Sequence, residues 1–216
     1  MDLSFLNDTF FLIFCKIAVF NLDFAFQYMG CLEVNTSMKV LDFDTRSAIA
    51  KECINRLSES TNGRVEQSGC KPTTTTNPRI ARMLSDTPVL DKAGANVQLT
   101  ITSLWLKLSD LDSGKAIFVH DMPNISFASG GDAEKLDFVA YVAKDRRHVR
   151  SCYVLECGGG LAQDVITTIG QAFELRFKEF MKRTPIGKNS SLNSPFYISI
   201  TWFPNCDFVI AQPILE

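Results

Sequence analysis

The run Gly158-Gly-Gly-Leu-Ala-Gln-Asp-Val-Ile-Thr-Thr-Ile-Gly-Gln-Ala-Phe-Glu-Leu-Arg-Phe-Lys-Glu-Phe-Met-Lys-Arg183 decides the fold. From about Leu161 to Lys182, the residues Ala162, Val165, Ile166, Ile169, Ala172, Phe173, Phe177 and Phe180 recur at i, i+3, i+4 spacing. One apolar stripe on a long helix follows. Asp164 stands in the first turn and Lys178, Lys182 and Arg183 at the end, both favourable to the helix dipole. Pro185 stops the helix. The glycine triplet before it matches neither dinucleotide-binding nor Walker spacing, so it reads as a flexible strand-to-helix joint.

What such a stripe covers stands upstream. Between Val97 and Glu156 short apolar runs recur every eight to twelve residues: 97–104, 106–111, 116–120, 125–129, 138–144 and 151–156. Asp112-Ser-Gly, Met122-Pro-Asn and Gly130-Gly-Asp separate some of them, so the segment predicts an antiparallel meander. Residues 22–34 add a seventh strand. Between that strand and the meander, Asp42 and Asp44 offer N-caps to a helix over 45–57 whose apolar face is Ile49, Cys53, Ile54 and Leu57. From Ser58 to about residue 80 the pattern dissolves into turn and threonine residues and predicts a long mobile loop. The expected fold is mainly β within the α+β class: a seven-stranded antiparallel sandwich or barrel capped by a C-terminal helix.

Composition excludes several functions. With 22 Lys plus Arg against 24 Asp plus Glu, the chain lacks the basic excess that nucleic-acid backbones demand. Its seven cysteines contain no C-x-x-C pair and read as buried thiols of a reducing compartment. Neither His120 nor His148 has a nucleophile elbow beside it, so no enzyme, cofactor or metal is expected. Residues 1–21 are apolar, but Lys16 interrupts them short of a bilayer span and Asp2 and Asp8 replace the positive start of a signal peptide. They are left as an unassigned extension, like the tail 184–216. A cytoplasmic chain is expected.

One charged constellation stands out. Lys144-Asp-Arg-Arg-His-Val-Arg150 joins two strands and carries a local charge of +3 at the ends of rigid elements. It fits either a solvated turn or a site for a multi-oxygen anion such as phosphate.

Four segments carry a resemblance: Tyr28-Met-Gly-Cys-Leu-Glu-Val34, Asn124-Ile-Ser-Phe-Ala-Ser-Gly-Gly-Asp132, Phe138-Val-Ala-Tyr-Val-Ala-Lys-Asp145 and Gly160 to Lys178. Together they resemble the phosphotyrosine-binding domain of the Shc adaptor family, over residues 22–183 as the domain. The resemblance implies a pleckstrin-homology-like fold that recognises Asn-Pro-x-phosphotyrosine segments of activated receptors at the inner face of the plasma membrane. In it the ligand adds a strand to an exposed sheet edge. By position, Lys144, Arg150 and Ser126 match the family's phosphate ligands, and Lys39 stands where the family has an arginine. Phe173 matches the aromatic that packs on the peptide. Ile125 and Phe127 flank Ser126 on the edge strand and join the expected peptide contacts.

The resemblance implies a monomer with no cofactor. The alternative is a membrane module of the same fold, with the 144–150 hairpin on phosphoinositide headgroups. The family's lipid-facing basic residues are reduced to Lys92 within Ser85–Lys92. Neither end shows the family's linker or Src-homology module, and Tyr197 is a single candidate phosphosite. A truncated splice form or a mis-predicted gene model would explain both ends, and a true truncation would compete with full-length adaptors.

Overall fold

A computed structural model of the chain describes residues 17–19, 26–62, 77–131 and 133–183. Among the described residues there are eight antiparallel strands: β1 (Ile17–Val19), β2 (Phe26–Glu33), β3 (Asn96–Thr102), β4 (Trp105–Asp110), β5 (Ala116–Asp121), β6 (Ile125–Gly130), β7 (Phe138–Lys144) and β8 (Arg150–Cys157). Three α-helices accompany them among the described residues: α1 (Phe43–Asn62), α2 (Pro78–Ala81) and α3 (Ala162–Arg183). The seven expected strands are β2 to β8. The short β1 lies in the N-terminal extension and pairs with β3, Ile17 opposite Thr102.

The long strands hydrogen-bond in the order β5-β4-β3-β2-β8-β7-β6. The sheet bends back on itself, because rings from its two halves meet. Phe118 of β5 lies 5.3 Å from Tyr28 and 5.1 Å from Tyr153. One hydrophobic cluster therefore holds Tyr28, Leu99, Leu106, Tyr141 and Leu155 together with Val165, Ile166 and Ile169 of α3. A second cluster lies on the other face of β2, β8, β7 and β6, where Ile49, Cys53, Ile54 and Leu57 of α1 meet Leu32, Phe127, Val142 and Val154. Covered on both faces, residues 138–143 of β7 and 152–155 of β8 are continuously apolar rather than alternating.

Two helix boundaries differ from expectation. Asp42 caps α1 as expected, accepting from the Thr45 amide and hydroxyl, both at 2.8 Å. The helix then continues through Asn62, five residues beyond its apolar stripe. Ser58, Ser60 and Thr61 donate their hydroxyls back to the carbonyls of Asn55, Arg56 and Leu57, which carries polar residues through a last turn. At the other side of the expected loop, Asn77 caps α2 by accepting from the Arg79 amide. Residues 63–76 lie outside the described residues, as do most of 1–21 and all of 184–216.

The β2 ladder contains a bulge between Tyr28 and Gly30, after which the facing switches: Cys31 joins Tyr28 in the inner cluster and Leu32 turns to the α1 face. Gly30 takes φ +119, and a Cβ there would stand 2.9 Å from the Val89 carbonyl oxygen and 3.0 Å from Leu57. Gly30→Ala should therefore cost about 2 kcal/mol or more of unfolding free energy, read from the urea midpoint.

His120 is buried between Phe118 and Tyr153, with Nδ1 3.3 Å from the Tyr141 hydroxyl. Burial pushes its pKa down from 6.5 to about 4, against weaker opposing pulls from Asp145 and Asp121. Between those two values the unfolded chain binds the proton that the folded chain refuses, so stability falls as pH drops from 6.5 toward 4. Acid unfolding curves of His120→Gln should lack this component. An unchanged slope relative to the unsubstituted chain would contradict it.

Candidate functional site

Strand β6 ends the sheet path. One side pairs with β7; the other side carries no strand among the described residues. Helix α3 runs beside that edge. Ile166 reaches to 3.2 Å of where a Gly130 Cβ would sit, and Phe173 stands seven residues, about 10 Å, further along the helix. Phe173 is half-buried and packs on the inner cluster. Beyond Ala172 the helix has outrun the core: Leu175 and Phe177 are also half-buried. An open strand edge thus faces a partly exposed apolar helix side.

At its start β6 is irregular. Ile125 opposes Ala143 and Phe127 opposes Val142, leaving Ser126 as the extra residue of a bulge. Strict alternation would point Ile125 and Phe127 to one face. Instead Ile125 joins the inner cluster and Phe127 the α1 cluster, edge-on to Phe43. Re-aiming a side chain is a common use of a bulge. The Ser126 hydroxyl donates to the Val142 carbonyl at 3.4 Å, long enough to be surrendered to a stronger acceptor.

Lys144 and Arg150 are direct partners across β7 and β8, with Cβ atoms about 5 Å apart. Both are half-buried. Arg150 Nη1 donates to the Thr36 carbonyl at 2.8 Å and the Val34 carbonyl at 3.5 Å. Those contacts fix the head of a long side chain without neutralising it. Burial lowers its pKa from the ordinary value, yet arginine stays charged at neutral pH. The chain that binds Arg150 continues into a 3-10 turn, Met38–Val40, which packs against β6. Met38 is buried in the α1 cluster and Lys39 is exposed.

The hairpin between Lys144 and Arg150 is set by Asp145, whose carboxylate accepts from the amides of Arg147 (2.8 Å) and Val149 (2.9 Å) and pairs with the Arg147 guanidinium at 3.3 Å. Although partial burial opposes it, these amides and the arginine hold the Asp145 carboxyl below the usual range. The +3 of the hairpin therefore divides: Arg146 and Arg147 are solvent-exposed, with Asp145 drawing on Arg147, while Lys144 and Arg150 sit at the strand ends.

Of the expected site residues, Lys144 and Arg150 adjoin and Ser126 lies on the strand next to Lys144. Lys39 follows the segment that grips Arg150. Phe173 lies along the other half of the β6 edge. Ile125 and Phe127 are 0% exposed, so any peptide contact from them comes through backbone atoms. Sequence reading passed over the carbonyls of Val34 and Thr36, because no side-chain pattern marks a carbonyl that holds an arginine. It also counted Asp145 only as a charge, not as the tie of the turn.

An edge strand beside a helix, with fixed cations at one end, is the layout of a peptide-recognition domain of pleckstrin-homology-like fold. The chain belongs to the phosphotyrosine interaction domain (PTB/PID) family, whose model matches residues 24–183, and this is a non-catalytic family. Among known proteins it is similar to SHC-transforming protein 4 of Mus musculus, 45% identical over 178 residues, 80% of this chain and 26% of that protein. It is 46% identical to SHC-transforming protein 2 of Homo sapiens over 159 residues, 74% of this chain and 27% of that protein. The chain thus spans about a quarter of the length of these curated relatives. The solution structure of the C-terminal phosphotyrosine interaction domain of APBB2 from mouse aligns with 73% of this chain and 86% of that one, at 14% identity and a TM-score of 0.45. No helix among the described residues is long and apolar enough to cross a membrane.

Asp145→Ala should speed hydrogen exchange at the Arg147 and Val149 amides by tenfold or more, on the order of 1.4 kcal/mol of lost protection. Exchange in α1 should be unchanged, which amide exchange followed by NMR would check.

Proposed function

We propose that the chain binds tyrosine-phosphorylated peptides of Asn-Pro-x-phosphotyrosine type, in the manner of a Shc-like adaptor module. The peptide adds a strand to the free edge of β6, its apolar residues upstream of the turn pack against Phe173, and the phosphate meets Arg150, Lys144, Ser126 and Lys39. The observation that carries this reading is the Lys144–Arg150 pair, held at the end of a rigid hairpin with Arg150 tethered by two carbonyls. A dianionic phosphate brings about −1.5 to −2 charge at pH 7, and each charge-assisted hydrogen bond contributes about 1.5 to 3 kcal/mol. Main-chain pairing along β6 supplies affinity that does not depend on phosphate. Receptor tails at the inner face of the plasma membrane are the proposed partners.

Lysine at position 39 provides charge without the bidentate fork of arginine. The grip on phosphate therefore rests mainly on Arg150 and Lys144.

Calorimetric titration of an Asn-Pro-x-phosphotyrosine peptide and its unphosphorylated twin tests the proposal. The phosphorylated form should bind about 100-fold tighter. Arg150→Ala should weaken the phosphorylated form alone by roughly 10- to 100-fold, and Phe173→Ala should weaken both. Lys39→Arg should tighten the phosphorylated form severalfold. Equal affinity for the twins would overturn the phosphate role.

A further inference from the structure

A second set of cations lies beside the phosphate cluster and is built by a different part of the chain. Arg79 and Arg82, three residues apart on α2 and its C-cap, are both exposed. Sequence spacing says nothing of their position, because 40 or more residues separate them from Lys39. Backbone pairing supplies it. The Asn35 amide donates to the Met83 carbonyl at 2.9 Å, the Ser85 amide donates to the Glu33 carbonyl at 2.9 Å, and Val34 bridges to Leu84. Arg82 therefore adjoins a residue locked to Asn35, which lies between the two carbonyls that hold Arg150. Arg79 stands near Asp42: the Thr45 amide and hydroxyl do most to hold that carboxyl below its usual range, and Arg79 adds to the effect.

The two arginines thus flank the segment 35–42 that also carries exposed Lys39. From the phosphate cluster they lie within roughly three or four extended residues, at about 3.5 Å each. Arginine presents a fork that suits a carboxylate in two-point contact. The Asp42 carboxylate, the acid in this stretch, is already engaged by Thr45.

We propose that Arg79 and Arg82 form a cationic rim that selects phosphopeptides with Asp or Glu in the first residues after the phosphotyrosine. This deepens the peptide-binding reading given above and rests on it. A ligand whose upstream half pairs along β6 toward α3 leaves the site at the opposite end, where the 3-10 turn packs on β6. Discrete side chains suit the rim better than a flat anionic surface. Asp86 and Asp91 are exposed in the segment that follows α2, with Lys92 the one cation there, and a membrane would meet their charge as well. Exposed pairs contribute a factor of about 1.5 to 5 each, so two contacts predict a preference of roughly twofold to 25-fold, weakening with added salt.

The test uses three synthetic peptides on the full chain, measured by fluorescence anisotropy at low and physiological salt. One has neutral residues after the phosphotyrosine, one has two or three acidic residues there, and one is the neutral peptide without phosphate. The acidic phosphopeptide should bind roughly twofold to 25-fold tighter than the neutral one. Arg79→Ala combined with Arg82→Ala should abolish that ratio and leave the neutral phosphopeptide unchanged, and Arg79→Glu with Arg82→Glu should invert it.

A ratio of one in the unsubstituted chain, or one that survives the double alanine variant, would overturn the rim. So would loss in that variant of binding to phosphatidylserine vesicles with the peptide ratio intact, which would assign the arginines to a membrane. Phosphate dependence of the neutral pair reports separately on Arg150 and Lys144, so failure of the rim and failure of the phosphate site are distinguishable.

Discussion

Strands β2, β8, β7 and β6 are covered on both faces, by α1 on one and by the folded-over half of the sheet with α3 on the other. That double burial is the constraint on which everything else depends. With both faces filled, this part of the molecule has only strand edges and strand ends to offer a partner. An uncovered edge displays unpaired backbone groups, which a peptide satisfies without side-chain complementarity. The strand ends are where charge is permitted, and Lys144 and Arg150 stand there, each next to five consecutive buried residues of its strand. On the proposed reading, specificity for an anion and affinity for a backbone come from neighbouring parts of one buried sheet.

Arg150 links that sheet to the rest of the site. Its two carbonyl acceptors lie in the segment that leaves β2 for α1, so one guanidinium positions the hairpin, the 3-10 turn with Lys39 and, through the Asn35–Met83 pairing, the turn carrying Arg82. A flexible arginine would lose more rotamer freedom on binding phosphate. Here the structure has already met part of that cost. The carbonyls cannot neutralise the charge they orient, which separates this arrangement from an ordinary salt bridge. Arg147, paired to Asp145 at the tip of the same hairpin, is the contrast.

Much of this was legible in the residues, and the reasons are specific. The stripe from Ala162 to Ala172 and the runs of the meander follow packing periods that leave a mark in sequence. Lys144 and Arg150 stand out because charge at strand ends is conspicuous, whereas Ser126 joins them only through the resemblance of its segment to a family. Features that rest on local geometry were not legible. The last turn of α1 is held by hydroxyls bonding back to carbonyls, so a stretch of Ser and Thr that resembles a loop is helical. The bulge at Ser126 inserts one residue without altering composition. Ile125 and Phe127 look like exposed edge residues until that bulge sends their side chains into two different cores. Arg79 and Arg82 gain meaning only from a pairing between residues 35 and 83, which no local pattern announces.

On the proposed reading, one ligand occupies the β6 edge and the Lys144–Arg150 end at the same time. An amide-resolved NMR titration with an Asn-Pro-x-phosphotyrosine peptide tests it most directly. Shifts should appear in two connected sets, along residues 125–130 and over 144–150 with 35–39, saturating together at one stoichiometric equivalent. Shifts confined to the β4–β5 side of the sheet, or to the hairpin without β6, would contradict it.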